Sequence, residues 1–384
     1  MQRVKYQARR LVFLGVAVFL TVLLLPVQAQ VSTESVFPGQ TWEYVARENL
    51  QAYGWSADVL QKATAYIRDH SNTTGLVVVD RGRVVYRFGD IEGLSYIASV
   101  RKSILAMLYG YWVENGIIKL NTTLEALGMD DIGGLLPVEK QATIQHLITA
   151  RSGVYHPASY PGDDLAKAPP RGSQTPGTYM LYSNWDFNAA GAVFEQLTGR
   201  SIYDELQAQI AIPIQCEDWN RSAQHKEGNL TISKYPAYPI WLSTRDMARI
   251  GYLMLHEGEW NGKQILSRDW ARRIVTVVTP LEQMNPIERR SGYLGYGTLW
   301  WIFDGPRAVG PFKGAYTGIG AVGQWITVLP TLNMVIAHKT NNIYGRSTTT
   351  ESWQRIIELM LEAKGVKMPG PYPWAREKPT TPER

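Results

Sequence analysis

The chain has 384 residues, 45% of them hydrophobic, and a formal charge of +5 from 39 basic and 34 acidic side chains. That is enough for one large or two intimately packed domains, with no internal repeat and no long low-complexity block. The charge does not indicate nucleic acid, because without Arg3, Lys5, Arg9 and Arg10 the balance is 35 against 34.

Those four residues open the chain with no acid among them. Leu11 to Leu25 follow without a charge, and then Val27-Gln28-Ala29 with small residues at the −3 and −1 positions. This is the pattern of a secretory signal cleaved after Ala29, residues 1–29 in all. The apolar run is short for a membrane span, which needs ~20 residues, so an uncleaved anchor is the alternative. Cys216 is the only cysteine, which rules out an internal disulfide and any multi-cysteine metal site. The six histidines show no ligand spacing, so neither metal nor cofactor is expected. An exported chain without disulfides suits the periplasm or secretion from a bacterium.

Within a main domain of residues 30–368, the spacing of Val59, Leu60, Ala63 and Ile67 predicts a helix over 57–69. Gly75–Val79 and Val84–Phe88 flank Asp80-Arg81-Gly82-Arg83 and read as a hairpin. A helix follows Ser99, carried by Ile104, Leu105, Leu108, Tyr111 and Trp112 and stopped at Gly116. Another is expected over 140–149, and then a long Pro/Gly/Asp-rich loop over 154–178, a length that in a compact domain often serves function. Helices are expected over 189–197, closed by Gly199, over 202–210, and from the Ser243 cap to Leu255. Residues 297–303, 321–329 and 334–338 read as strands, the last two paired antiparallel, and 351–363 as a final helix. The tail from Pro369 is expected to be disordered or loosely draped. This order gives an α+β fold: one antiparallel sheet built from both chain ends (about 55–110 and 236–364), flanked by N- and C-terminal helices, with a helical insertion over about 111–235.

Three short motifs carry chemistry. Ser99 and Lys102 form Ser-x-x-Lys, and positions i and i+3 share a helix face, so hydroxyl and amine can meet without help from the rest of the fold. A helix start also gathers unpaired N–H groups, which suits an oxyanion hole. A serine there is most often only a cap, so the motif needs support from elsewhere. Tyr182-Ser183-Asn184 stands before a helix; its tyrosine could relay a proton and its amide could meet a substrate carbonyl. Tyr316-Thr317-Gly318 enters the strand of Trp325, and Gly318, Gly320 and Gly323 leave an edge with little bulk for a substrate backbone.

In that order, these motifs resemble the serine β-lactamase and penicillin-binding-protein superfamily, in its class C-related branch. Leu147–Gly153, Leu242–Arg249 and Gly323–Pro330 add to the likeness, and Ser152–Pro157 and Asn184–Asn188 look closest to the 6-aminohexanoate-dimer hydrolase and family VIII esterase group. The resemblance covers roughly 55–363. It implies Ser99 as acylated nucleophile, Lys102 and Tyr182 sharing general acid–base work in an order left open, and Asn184 orienting the substrate. The Ser99 and Ile319 N–H groups would form the oxyanion hole. Tyr155, His156, Trp185 and Trp301 are candidate pocket walls. The third motif departs from the family: Tyr316-Thr317-Gly318 stands where Lys-Thr-Gly or His-x-Gly is usual. Lys339-Thr340-Asn341 is nearer in letters but ends the next strand and lacks the glycine. Tyrosine for lysine removes a charge that would meet an anionic substrate. The implied function is hydrolysis of a small amide or ester through an acyl-enzyme. The alternatives are a D-alanyl-D-alanine carboxypeptidase or class C-like β-lactamase, and a non-catalytic binding protein on the same fold. No nucleic-acid partner is expected, and membrane contact only through an uncleaved N-terminal segment.

Overall fold

The computed structural model describes residues 34–160 and 162–375. The expected signal segment and the tail beyond 375 lie outside the described residues. The main sheet runs β1 (Glu43–Tyr44), β2 (Gly75–Asp80), β3 (Arg83–Gly89), β4 (Leu294–Tyr296), β5 (Trp301–Phe303), β6 (Tyr316–Gly320), β7 (Gln324–Leu329) and β8 (Met334–Lys339). Their order in space is β1-β3-β2-β8-β7-β6-β5-β4. All neighbours are antiparallel except β1 beside β3. The two chain ends meet at β2–β8, with Val78 opposite Ile336.

The unbroken apolar run of β2 has a physical cause: both faces of the sheet are covered, so a strand needs no polar side. Val77 and Val79 point into one core with Ile326, Val328 and Val335. Leu76 and Val78 point into the other with Leu329, Met334 and Ile336. The second face is covered by α1 (Ala57–His70), through Leu60, Ala63 and Ile67, and by α5 (Thr350–Ala363), through Ile356, Ile357 and Met360. The first face carries α2 (Val100–Glu114) and α4 (Thr244–Leu255), with α3 (Asn184–Thr198) packed beyond α2. Each such buried Leu, Ile or Val contributes roughly 1.5–3 kcal/mol over leaving it exposed. Among the described residues, the chain between Glu114 and Trp241 gives this sheet no strand.

Several boundaries differ from expectation. In the 297–303 run only Trp301–Phe303 is strand; Gly297 N–H closes on Trp300 O at 2.9 Å, and this turn adds β4 on its other side. Tyr316 does not enter the strand of Trp325. It starts β6, which folds back onto β7 through a turn with Val322 and Gly323 at positive φ (61° and 105°). The 140–149 helix is only Ile144–Ile148, and 202–210 is a short helix followed by a wider π-type turn over Leu206–Ala211. α3 begins five residues earlier than periodicity indicated, at Asn184. The described part of the tail is not loose: Tyr372 stacks on Trp374, 5.4 Å between centroids, and the Trp374 indole N–H donates to Glu358 Oε1 at 2.8 Å.

Candidate active site

Ser99 occupies the cap position of α2, with φ −73° and ψ −7°, but makes no side-chain cap bond. Its hydroxyl is therefore not spent on the helix. Ala98 before it sits at φ +48°, a left-handed conformation costing an L-residue roughly 1–2 kcal/mol. The chain turns sharply there and presents Ser99 half-exposed while the residues on either side are buried.

Three residues later Lys102 is buried at 1% exposure. Its Nζ lies 2.9 Å from Ser99 Oγ, 2.6 Å from the Tyr182 hydroxyl and 2.7 Å from Asn184 Oδ1. Burial pushes the Lys102 amine well below the ordinary lysine range, and the neighbouring Arg101 guanidinium pushes the same way. Arg101 is itself buried, held by Asn188 Oδ1 at 3.1 Å and the Tyr238 ring at 4.7 Å. Burial acts oppositely on Tyr182, pushing its hydroxyl up to about 12 although Ser99 hydrogen-bonds to it. Desolvation favours the neutral form of both groups: a free amine able to take a proton and a phenol able to give one. Trp301 stacks on the Tyr182 ring at 5.3 Å and fixes its plane.

The third wall is β6. The Phe303 N–H to Ala315 O bond fixes which residues face β5. By strand alternation Thr317 and Ile319 face the same side. β5 pairs only as far as Thr317↔Trp301, so the Ile319 N–H points to an edge that β5 leaves uncovered. A Cβ on Gly320 would stand 2.5 Å from Ile97 O, and one on Gly318 3.2 Å from Ser103 Oγ. The two glycines thus let this edge approach the start of α2. A cavity of about 420 Å³ opens over Ser99, Tyr182 and Ile319, walled by Trp301, Trp325 and Leu294. Arg289 lies on its rim, 5.2 Å over the Trp301 ring, paired with Asp164 at 2.6 Å. A larger space of about 740 Å³ beneath the C-terminal segment shares the Ser291–Tyr293 wall but holds none of Ser99, Lys102 and Tyr182.

The structure brings Ser99, Lys102, Tyr182, Asn184 and Ile319 together, with Trp301 on the wall. Asn184 is 4% exposed and its Oδ1 faces Lys102, so it holds the amine rather than reaching outward. Five expected contacts lie elsewhere. Tyr316 is buried edge-on against Trp300, 5.4 Å between centroids, because the face it shares with Gly318 turns toward α2 and the core. Gly318 accordingly serves close packing, not a substrate surface. Trp185 is fully buried with its indole N–H on Asp131 Oδ2 at 2.7 Å, and Tyr155 is buried near Asp186, which with burial raises its hydroxyl. His156 is likewise buried, its ring nitrogens at the carbonyls of Pro157 and Ile132. Arg289, Leu294 and Trp325 escaped the sequence reading. Arg289 stands in no motif, and only Trp325, inside Gly323–Pro330, carried a signal. Among the described residues no cluster of His, Cys, Asp and Glu could hold a metal ion.

A protein of Alkalihalophilus pseudofirmus with no described function is 24% identical over 267 residues, 64% of this chain and 73% of that one. A Bacillus anthracis structure named as a 6-aminohexanoate-dimer hydrolase superposes with a TM-score of 0.60 at 21% identity, covering 79% of this chain and 82% of that one. A Mycobacterium bovis β-lactamase superposes at 0.53 and 17% identity, covering 78% and 99%. These likenesses establish a shared fold. The Beta-lactamase family model matches residues 61–359, most of the chain, and the protein belongs to that family of β-lactamase-fold hydrolases.

Proposed function

We propose that the protein is an exported serine hydrolase that cleaves a small amide or ester through an acyl-enzyme on Ser99. The observation that carries this is Lys102, a buried amine within hydrogen-bond distance of Ser99, Tyr182 and Asn184. Lys102 takes the Ser99 proton as Oγ attacks the carbonyl carbon. The oxyanion lies between the N–H groups of Ser99 and Ile319. Tyr182, still protonated at neutral pH, passes its proton to the leaving amine or alcohol and recovers one from Lys102. Water then attacks the ester on Ser99 with the roles reversed. Asn184 accepts one Lys102 N–H and so aims the nitrogen lone pair at a hydroxyl.

The cavity supports a neutral substrate: Trp301, Trp325, Leu294 and Ile319 line part of it, and its two charged groups, Arg289 and Glu288, already meet Asp164 and Lys167. The expectation drawn from Tyr316 is thus kept on different residues. A peptidase or β-lactamase reading has one observation in its favour, Arg289 on the same rim, which could exchange Asp164 for a substrate carboxylate. One set of measurements tests both. A nitrophenyl ester should be turned over with higher kcat/KM than the cephalosporin nitrocefin. Ser99→Ala should abolish turnover and fluorophosphonate labelling, since no other serine has lysine at i+3. A labelled, active Ser99→Ala variant overturns the mechanism, and a preference for nitrocefin puts the peptidase reading first.

A further inference from the structure

We propose that Asp163 is a positioning residue for the Tyr182–Lys102 pair, gripping the Tyr182–Asn184 peptide from the 154–178 loop. This rests on Ser99, Lys102 and Tyr182 being the reacting groups. The start of α3 is capped in an unusual way. Ser183 is at the cap position, where serine ordinarily accepts an N–H of the first turn. Here it makes no such bond, and its buried Oγ has no hydrogen-bond partner. The first helical N–H, that of Asn184, instead donates to Asp163 Oδ2 at 2.8 Å, from twenty-one residues upstream. The next loop residue completes the grip: Asp164 N–H donates to Tyr182 O at 3.0 Å. The Leu165 N–H donates to the other Asp163 oxygen at 3.2 Å and sets the carboxylate's angle. Asn184 Nδ2 donates to Tyr160 O at 3.4 Å.

A three-residue peptide is therefore held by Tyr160, Asp163 and Asp164. The same peptide carries two of the three groups around Lys102 Nζ, the Tyr182 hydroxyl and Asn184 Oδ1. Any shift of the peptide moves both, and neither has slack at 2.6 and 2.7 Å. Asp163 also acts through its charge. The groups that bias Lys102 are Arg101 on α2, which disfavours the ammonium, and Asp163, which favours it. Tyr182 touches the amine directly, and Tyr238, Tyr296, Asp186 and the Asp164–Arg289 pair surround that tyrosine and α3. Asp163 is thus placed both to hold the relay and to moderate the basicity of its lysine.

The two roles separate by substitution in the full chain. Asp163→Asn keeps an oxygen for the Asn184 N–H and removes the charge; Asp163→Ala removes both. For Asp163→Ala with a nitrophenyl ester, kcat should fall on the order of 10²-fold with KM within a few-fold, as expected when reacting groups are misplaced. Hydrogen exchange of the peptide spanning 181–186 should quicken. Asp163→Asn should restore kcat to within a few-fold of wild type and slow the exchange again. With the anion gone the Lys102 amine is less basic, so the acid limb of kcat/KM should move to lower pH. Wild-type kcat and exchange in Asp163→Ala overturn the proposal. An unmoved acid limb in Asp163→Asn overturns the electrostatic role alone, and if the alanine variant does not fold, wild-type kcat and exchange in Asp163→Val overturn the grip. Ser99→Ala, run in parallel, keeps the two failures apart. If it retains turnover, the assignment of reacting groups has failed, and hydrogen exchange still shows whether Asp163 holds the peptide.

Discussion

Two buried lysines of this protein show how the same side chain is set to different tasks. Lys339, in the Lys-Thr-Asn sequence that looks like the family's third motif, donates to the carbonyls of Gly93 and Leu242. Burial lowers its amine to about 8, while Asp90, Asp218 and Asp246 pull the other way, an environment suited to holding a cation. Lys102 meets two hydroxyls and an amide oxygen with Arg101 beside it, an environment suited to a free base. Tyr182→Phe keeps the ring on Trp301 and removes only the relay, so kcat should fall on the order of 10²–10⁴-fold, the usual worth of a general acid–base group. Activity within a few-fold of wild type would reassign Tyr182 to packing. A second titration belongs to His338, buried between Thr73 Oγ1 at 2.7 Å and Gly323 O at 3.0 Å, with burial pushing it down to about 3. The unfolded chain binds this proton near pH 6.5 and the folded chain does not, so stability falls as pH drops from about 6.5 to 3, by up to about 1.4 kcal/mol per pH unit. Urea melts across that window should show a shallower pH slope for His338→Gln than for wild type. Equal slopes would place the acid sensitivity on other groups.

At the level of elements, the site depends on how close β6 comes to the start of α2. Glycine at 318 and 320 sets that distance, but the two positions are not equivalent. A Cβ at Gly318 meets Ser103 Oγ, a side-chain atom, at 3.2 Å. A Cβ at Gly320 meets the Ile97 carbonyl, fixed backbone, at 2.5 Å. Gly320→Ala should therefore displace the Ile319 edge from Ser99. It should cost about 1–3 kcal/mol in stability and roughly 10²-fold in kcat, as for any misplaced oxyanion donor. Gly318→Ala should cost less on both counts. Thermal melts with steady-state kinetics on the two variants check this, and equal effects would count against the close approach as the reason for the glycines. The sequence showed these glycines but not their use, because whether a bare strand face meets a substrate or a helix is settled by the neighbouring layer.

Across the whole molecule, the sheet explains how residues over two hundred positions apart in sequence form one site. β2 and β8 pair antiparallel, α2 from one chain end packs on a face of the sheet, and β6 from the other end is the strand it meets there. Tyr316 illustrates the consequence for design. Tyr316→Lys would place a charge in the core beside Trp300 rather than in the cleft, and its main effect should be lost stability. Export, proposed above, is a further prediction at this scale. Mature protein recovered from the envelope of the native cell should begin at Gln30 by N-terminal sequencing. An intact residue 1 in the membrane fraction would favour the uncleaved anchor.

Local pattern determined much of this protein. The β2–β3 hairpin, α1, α2, α4, α5 and the β7–β8 pair were legible because each is specified by periodicity, a cap or a turn within some fifteen residues. Ser99 and Lys102 were legible for the same reason, since three residues on a helix place them together whatever surrounds it. The likeness of three ordered motifs supplied Tyr182. Tertiary structure decided what depends on neighbours distant in sequence. It buried Arg101 and Lys102 together, out of water, an effect that no spacing encodes. It turned Tyr316 and Trp185 inward, since a strand or helix residue faces a cleft or a core according to the layer packed against it. It also assigned the cap of α3 to Asp163 rather than Ser183, because a loop that folds back over a helix start can supply a charged acceptor where the local hydroxyl is merely near.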